Sequence, residues 1–253
     1  MKITDLNTPQ LVERVVQHGP GLLLYAAVVA EAYEAAPRFE ERAVPGYVAL
    51  AKSNDVLLKR LQSDVKVNYT SDDPYKRHRD MVQDVVKNKN LTIWDGSDEP
   101  HPYMTNDQNV ILRTVHDYYA HTGPNRKAAT ANPGKALERN DFTYRGELNA
   151  YLTHVRIAPK PAIPILFTEV AAQISYHLIT GSYAQQKAMI LDGFDYIHLG
   201  KFTSPDRQKR FDELSQEYDE TGQITVAAKG GITMMHSAMN WKQVSRGTRA
   251  TMK

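Results

Sequence analysis

Val110-Ile-Leu-Arg-Thr-Val-His-Asp-Tyr-Tyr-Ala-His121 decides how this chain is read. Val110, Leu112, Val115 and Tyr119 carry the segment inward as a helix, and His116, Asp117 and His121 go with it. On an α-helix Asp117 and His121, four residues apart, project from one face about one turn apart. A carboxylate and an imidazole taken into an apolar interior need a proton, a cation or a metal to offset the loss of water. Just upstream, Thr105 with Gln108 three residues later forms a capping box that starts the helix.

Two later segments repeat the pattern. Glu147, Tyr151 and His154 follow an i, i+4, i+7 line, and Glu169, Gln173 and His177 advance in steps of four. Helical bundles assemble carboxylate–histidine metal sites in this way, because facing helices supply inward ligands at a fixed depth. The expected metal ligands are Asp117, His121, Glu147, His154 and Glu169. Glu169, Glu147 and His116 are the expected catalytic acid/base groups, with Gln173 and Arg113 supporting them. A mixed His/carboxylate set suits a divalent metal such as zinc, manganese or non-haem iron, and the chain has no cysteine to offer a thiolate. Such a metal lowers the pKa of bound water and supplies hydroxide near neutral pH.

Each feature also has a structural reading. Asp117 and His121 make an ordinary helical pair, Glu147 sits near a helix start where the macrodipole favours a carboxylate, and Glu169 neutralises a buried Arg113 or Arg145.

The bulk properties fit a soluble globular domain. Hydrophobic residues make up 42% and charged residues 24% of 253 positions, and the net charge of +2 selects neither nucleic acid nor membrane. Met1 to Asn7 is polar, and the apolar run from Gly21 to Ala30 falls short of the ~20 residues that span a bilayer, so no membrane partner is expected.

Helices are expected from Thr8 to a break at Gly19-Pro20-Gly21, from Leu22 to Ala36, and from Pro45 to Leu61 with Val48, Leu50, Ala51, Leu57, Leu58 and Leu61 inside. Val65–Thr70 and Leu91–Trp94 alternate as strands of a small hairpin, with a helical stretch between them. The polar loop from Thr122 to Gly134 reads as a lid or rim. Further helices are expected over 145–157, up to Thr180, over 182–191, and from Ser204-Pro205 to Thr221. Beyond Glu220 there is no acidic residue but five Lys and Arg, which reads as an extended basic arm.

No His-Glu-x-x-His, P-loop, Gly-x-Gly-x-x-Gly or Gly-x-Ser-x-Gly motif is present. The His116-Asp117 doublet is similar to that of the HD phosphohydrolases. By order alone, His78, the doublet, and Asp192 or Asp195 would fill that family's roles.

A longer pattern runs through Tyr33-Glu-Ala-Ala-Pro37, Ala43-Val-Pro45, Ala49-Leu-Ala51 and Asp73-Pro-Tyr75. It sharpens at His101-Pro102, Gln108-Asn-Val110 and Arg113-x-Val-His-Asp-x-x-x-His121, and continues through Gly146-Glu-x-x-Ala150, His154, Thr168-Glu169 and Gln173. This pattern resembles a family of tailed-phage proteins, also found as a block in large multidomain phage polypeptides, and the resemblance spans roughly residues 33 to 190. It implies a phage origin and supports these residues without supplying a reaction. Where the family commonly has Gly before the second His, this chain has Ala120.

The expectation is a mainly α protein: a single helical domain over 1–221, with a minor two-stranded β element and a basic C-terminal arm over 222–253. Its leading function is a phage-encoded metal-dependent enzyme, a hydrolase with its site on three helices. The alternative is a phage virion or host-interaction protein whose His/Glu network is structural. The implied partners are an unknown substrate, other phage proteins, or nucleic acid through residues 222–253, in host cytoplasm or virion.

Overall fold

The computed structural model describes residues 8–96, 99–124, 126, 140–222, 224–228 and 231–233, and the backbone alone at 8–20, 228 and 231–233. The protein is mainly α, as expected. Helix α1 (Thr8–Ala35) is continuous, so the break expected at Gly19-Pro20-Gly21 is absent. Proline removes one helical hydrogen bond and crowds the preceding turn. The helix continues because Leu23 to Ala30, Ala32 and Tyr33 are buried on every side, and tertiary packing outweighs the local penalty.

Helix α2 (Val44–Gln62) has Pro45 in its first turn and buries Gly46, Tyr47, Leu50, Asn54, Leu57 and Leu61. Val48, expected inside, stays at the surface. Gly46 is required where α2 meets the 159–165 segment, since a Cβ there would stand 2.7 Å from the Pro161 carbonyl oxygen.

The two short strands, β1 (Lys66–Thr70) and β2 (Asn90–Trp94), are parallel, with Val67 opposite Leu91 and Tyr69 opposite Ile93. This corrects the hairpin. Parallel strands need a crossover, and α3 (His78–Gln83) with a π-helical turn (Asp84–Asn88) supplies it.

Helix α4 (Asn106–Val115) starts with the capping box: Thr105 Oγ1 accepts from Gln108 N, and the Gln108 side chain accepts from Thr105 N. Its next turns, His116–Thr122, wind as a π-helix. Leu112 packs into the main core around α1, whereas Val115 and Tyr118 pack into a second apolar cluster with Leu61, Leu91 and Ile93. The segment is wedged between two cores, so its polar side chains lie in the interior. Of the expected lid over 122–134, residues 125 and 127–134 lie outside the described residues.

Helix α5 (Tyr144–Val155) packs across this π segment. Helix α6 (Ile163–Leu166), a second π segment (Phe167–Ala172) and α7 (Gln173–Thr180) follow, and α7 stops at Gly181 with φ 75°. Residues 160–180 are long and apolar enough to cross a membrane, but 67% of that window is buried within the protein, as in a core helix.

The helix expected over 182–191 does not form. The chain there is an extended strap, bridged at Ala188 to Phe39. Its Lys187 Nζ donates to the carbonyls of Tyr33, Glu34 and Ala36 at 2.7, 3.0 and 2.6 Å, and these bonds to the end of α1 hold it open. Helix α8 (Pro205–Thr221) lies across α1. The first residues of the expected arm are not detached: Ile224 and Val226 are buried, and β3 (Val226–Ala228) pairs antiparallel with β4 (Gly231–Thr233). Residues 234–253 lie outside the described residues.

Candidate metal centre

His116, His121 and Glu147 come together in the interior. Their candidate ligand atoms lie within 4.8 Å of one another, and all three residues are buried. His121 Nε2 is 3.3 Å from Glu147 Oε2, and His116 Nε2 is 3.9 Å from the same oxygen. The pairing of His116 with His121 follows from the winding. A π-helix closes i→i+5 hydrogen bonds and has more residues per turn than an α-helix, and the rings at 116 and 121 meet edge to face with centroids 4.8 Å apart. The expected α-helical partner of His121, Asp117, is turned out of the triad.

Glu147 is set by the start of α5. Thr143 Oγ1 accepts from Gly146 N at 3.1 Å, and Asp141 Oδ1 accepts from the Thr143 hydroxyl at 2.6 Å. A side chain at 146 would run into Asp141, whose backbone nitrogen lies 2.6 Å from the ideal Cβ. Glycine therefore lets the 141–143 turn close beneath Glu147.

Each imidazole also has its other nitrogen engaged. His121 Nδ1 donates to the Asn140 carbonyl at 2.7 Å, which leaves Nε2 as its site-facing atom. Asn140 is itself clamped, its amide donating to Ala120 O at 2.6 Å and Thr153 Oγ1 at 3.0 Å. His116 Nδ1 meets His154 Nδ1 at 3.3 Å. Burial, with His116 close by, holds the His154 imidazole well below the usual histidine range, so it stands neutral behind His116. Metal-ligating histidines are oriented by this kind of second contact. His78 adds another, its Nε2 donating to the His121 carbonyl at 3.1 Å.

The electrostatics match the geometry. Burial works against a charged Glu147, but the two imidazoles outweigh it and hold the carboxyl well below its ordinary range. Burial likewise opposes a charged His121, yet Glu147 and the Asn140 carbonyl raise it. Without a metal, then, a proton on His121 and the Glu147 charge offset one another.

The triad opens into a cavity of about 170 Å³, also lined by Asp117, Arg113, Trp94, Glu169, Gln173 and His177 among others. Of the expected ligands, His121 and Glu147 belong to the triad, and His116, expected to do acid/base work, is its third member. His154 stands behind His116, and Asp117 and Glu169 line the cavity outside the triad. Glu169 accepts from His101 Nε2 at 3.1 Å, from Gln173 Nε2 at 3.1 Å and from the Tyr47 hydroxyl. It does not neutralise Arg113 or Arg145. His101 is fixed in turn, its Nδ1 accepting from Tyr103 N and Met104 N at 3.1 and 2.7 Å, which puts its proton on Nε2. Tyr151 leaves the group, donating to Tyr196 O at 2.6 Å.

The HD-type assignment does not survive. Asp192 pairs with Arg42 at 2.5 Å on the surface, and Asp195 caps the 195–198 turn, so neither reaches the cavity. Sequence reasoning missed Asn140 and Tyr47. Tyr47 reads as one more apolar position of α2, and Asn140 precedes a helix cap with no periodicity to single it out. No protein-family profile, curated protein or solved structure matches the chain.

Proposed function

We propose that this chain is a metal-dependent hydrolase, with His116, His121 and Glu147 as its metal ligands. The observation that carries the reading is the convergence of these three side chains, from two separate segments, at the wall of one cavity. Two imidazoles and one carboxylate leave open coordination positions, as catalytic sites for zinc and non-haem iron do. A divalent metal held there supplies a Lewis acid and a nucleophile from its bound water. Asn140 and His154 orient the two imidazoles. Glu169, held by Tyr47, His101 and Gln173 on the cavity wall, would be the residue to accept a proton from such a water as general base and to return it to the leaving group. The phage origin implied by the sequence pattern is part of the same proposal.

One observation favours the structural alternative. His121 and Glu147 already satisfy one another at 3.3 Å, as members of a buried polar network would. Metal analysis of the purified protein separates the two readings. The enzyme reading predicts about one zinc, manganese or iron per chain, lost in His121→Ala with helical content retained. Protein that stays metal-free after reconstitution with each of these ions overturns it.

A further inference from the structure

Among the described residues that line the cavity, Arg113 supplies the arginine or lysine side chain, and its contacts there are to Trp94 rather than to a carboxylate. It lies on α4 three residues before His116, hence on the same side of that helix, and both side chains line the same cavity. Its NH1 donates to the Trp94 carbonyl, and its guanidinium carbon sits 4.7 Å over the Trp94 ring. Those contacts fix the plane of the group but use one of its five N–H donors. Among the described residues it forms no ion pair.

The carboxylates lining the cavity have contacts of their own. Glu147 faces the two imidazoles, Glu169 accepts from Tyr47, His101 and Gln173, and Asp117 has a contact of its own. Burial pushes the guanidinium down to about 10, with Asp95 opposing, so it remains charged at neutral pH. A guanidinium held on an aromatic face at the wall of a cavity is an arrangement that recognises oxyanions, because its planar fork matches two oxygens at once.

We infer that Arg113 binds an oxyanion of the substrate, a phosphate or carboxylate group seated between the guanidinium and the His116/His121/Glu147 triad. This deepens the reading of the triad as a metal site and rests on it: the substrates are anionic, and the scissile bond lies next to the anion.

The test uses the full chain, loaded with zinc or manganese, and isothermal titration with inorganic phosphate and with acetate. The wild type is expected to bind at least one of the two anions, and the preferred one tells phosphate from carboxylate. Arg113→Met should weaken that binding by about 10-fold or more, with Arg113→Lys in between, at unchanged metal content. Equal affinity in wild type and Arg113→Met, or binding of neither anion by loaded wild type, overturns the inference. If Arg113→Met fails to fold, as judged by thermal melting, Arg113→Lys decides, since it keeps the charge and loses the fork. If the wild type takes up no metal, the reading of the triad fails by itself. Phosphate and acetate titrated into the metal-free wild type and variant then still decide for or against Arg113.

Discussion

His78 shows how a single buried imidazole ties the site to the pH dependence of the fold. Its Nε2 supports the His121 carbonyl, and its Nδ1 has no hydrogen-bond partner among the described residues. Burial, reinforced by His121, pushes its pKa down to about 4. Between about 4 and the unfolded value near 6.5 the unfolded chain therefore binds a proton that the folded chain does not. Stability rises with pH across that window and is lost as pH falls through it. The size of the effect is about 3 kcal/mol for this group. His121, raised by Glu147, acts in the opposite sense, so the contribution of His78 is read from a variant. Urea unfolding at pH 4.5 and 7 should show the wild type losing more stability on acidification than His78→Gln, which keeps a donor for the His121 carbonyl. Equal losses in the two proteins would show that His78 is protonated without cost. At this scale the sequence was informative about residue type and silent about partners. His121 and Glu147 were visible as polar groups on apolar faces, whereas the Asn140 carbonyl that fixes the His121 tautomer belongs to a backbone no pattern marks.

At the scale of elements, local winding decides which residues meet. An α-helical spacing rule pairs Asp117 with His121, but the segment is π-wound and pairs His116 with His121 instead. Nothing in the side-chain pattern announces the extra residue per turn, because it arises from packing between two cores. The capping box at Thr105 and the stop at Gly181 were legible because they rest on local chemistry. The parallel pairing of β1 and β2 was not, since two short strands joined by a helical stretch fit either direction until the crossover packs. The start of α5 gives a sharp test. Gly146→Ala places a methyl group against the Asp141 backbone, which the 141–143 turn has no room to absorb. The expected cost is about 2–3 kcal/mol, as for overpacking in a core. Because Glu147 is the next residue, metal binding should weaken as well. Differential scanning calorimetry and metal titration of the same variant check both effects, and a Gly146→Ala protein as stable as wild type would show that the turn yields freely.

For the molecule as a whole, the link between the two halves of the chain runs through Lys187. Its ammonium closes the C-terminal end of α1 by donating to three carbonyls more than 150 positions earlier, where a cation also suits the helix dipole. Tyr47 gives its one hydroxyl proton chiefly to Glu169, and the same hydroxyl lies 3.3 Å from the Lys187 carbonyl, a weaker shared contact. The strap, α1, α2 and the cavity wall are thus one hydrogen-bonded assembly. This explains why a stretch with helical residue preferences stays extended: an isolated helix over 182–191 would withdraw the ammonium and leave the carbonyls at the end of α1 without that donor. Lys187→Met keeps most of the side-chain volume and removes the charge. It should destabilise the protein by about 2–4 kcal/mol, the cost of stranding buried partners of a charged group. The urea midpoint should fall with an unchanged slope. Metal content should stay at the wild-type level, because the bond that reaches the cavity comes from the backbone of residue 187 and not from its side chain. An unchanged midpoint would mean that water replaces the ammonium at the helix end. Loss of metal with an unchanged midpoint would mean that the cavity wall depends on the charge itself.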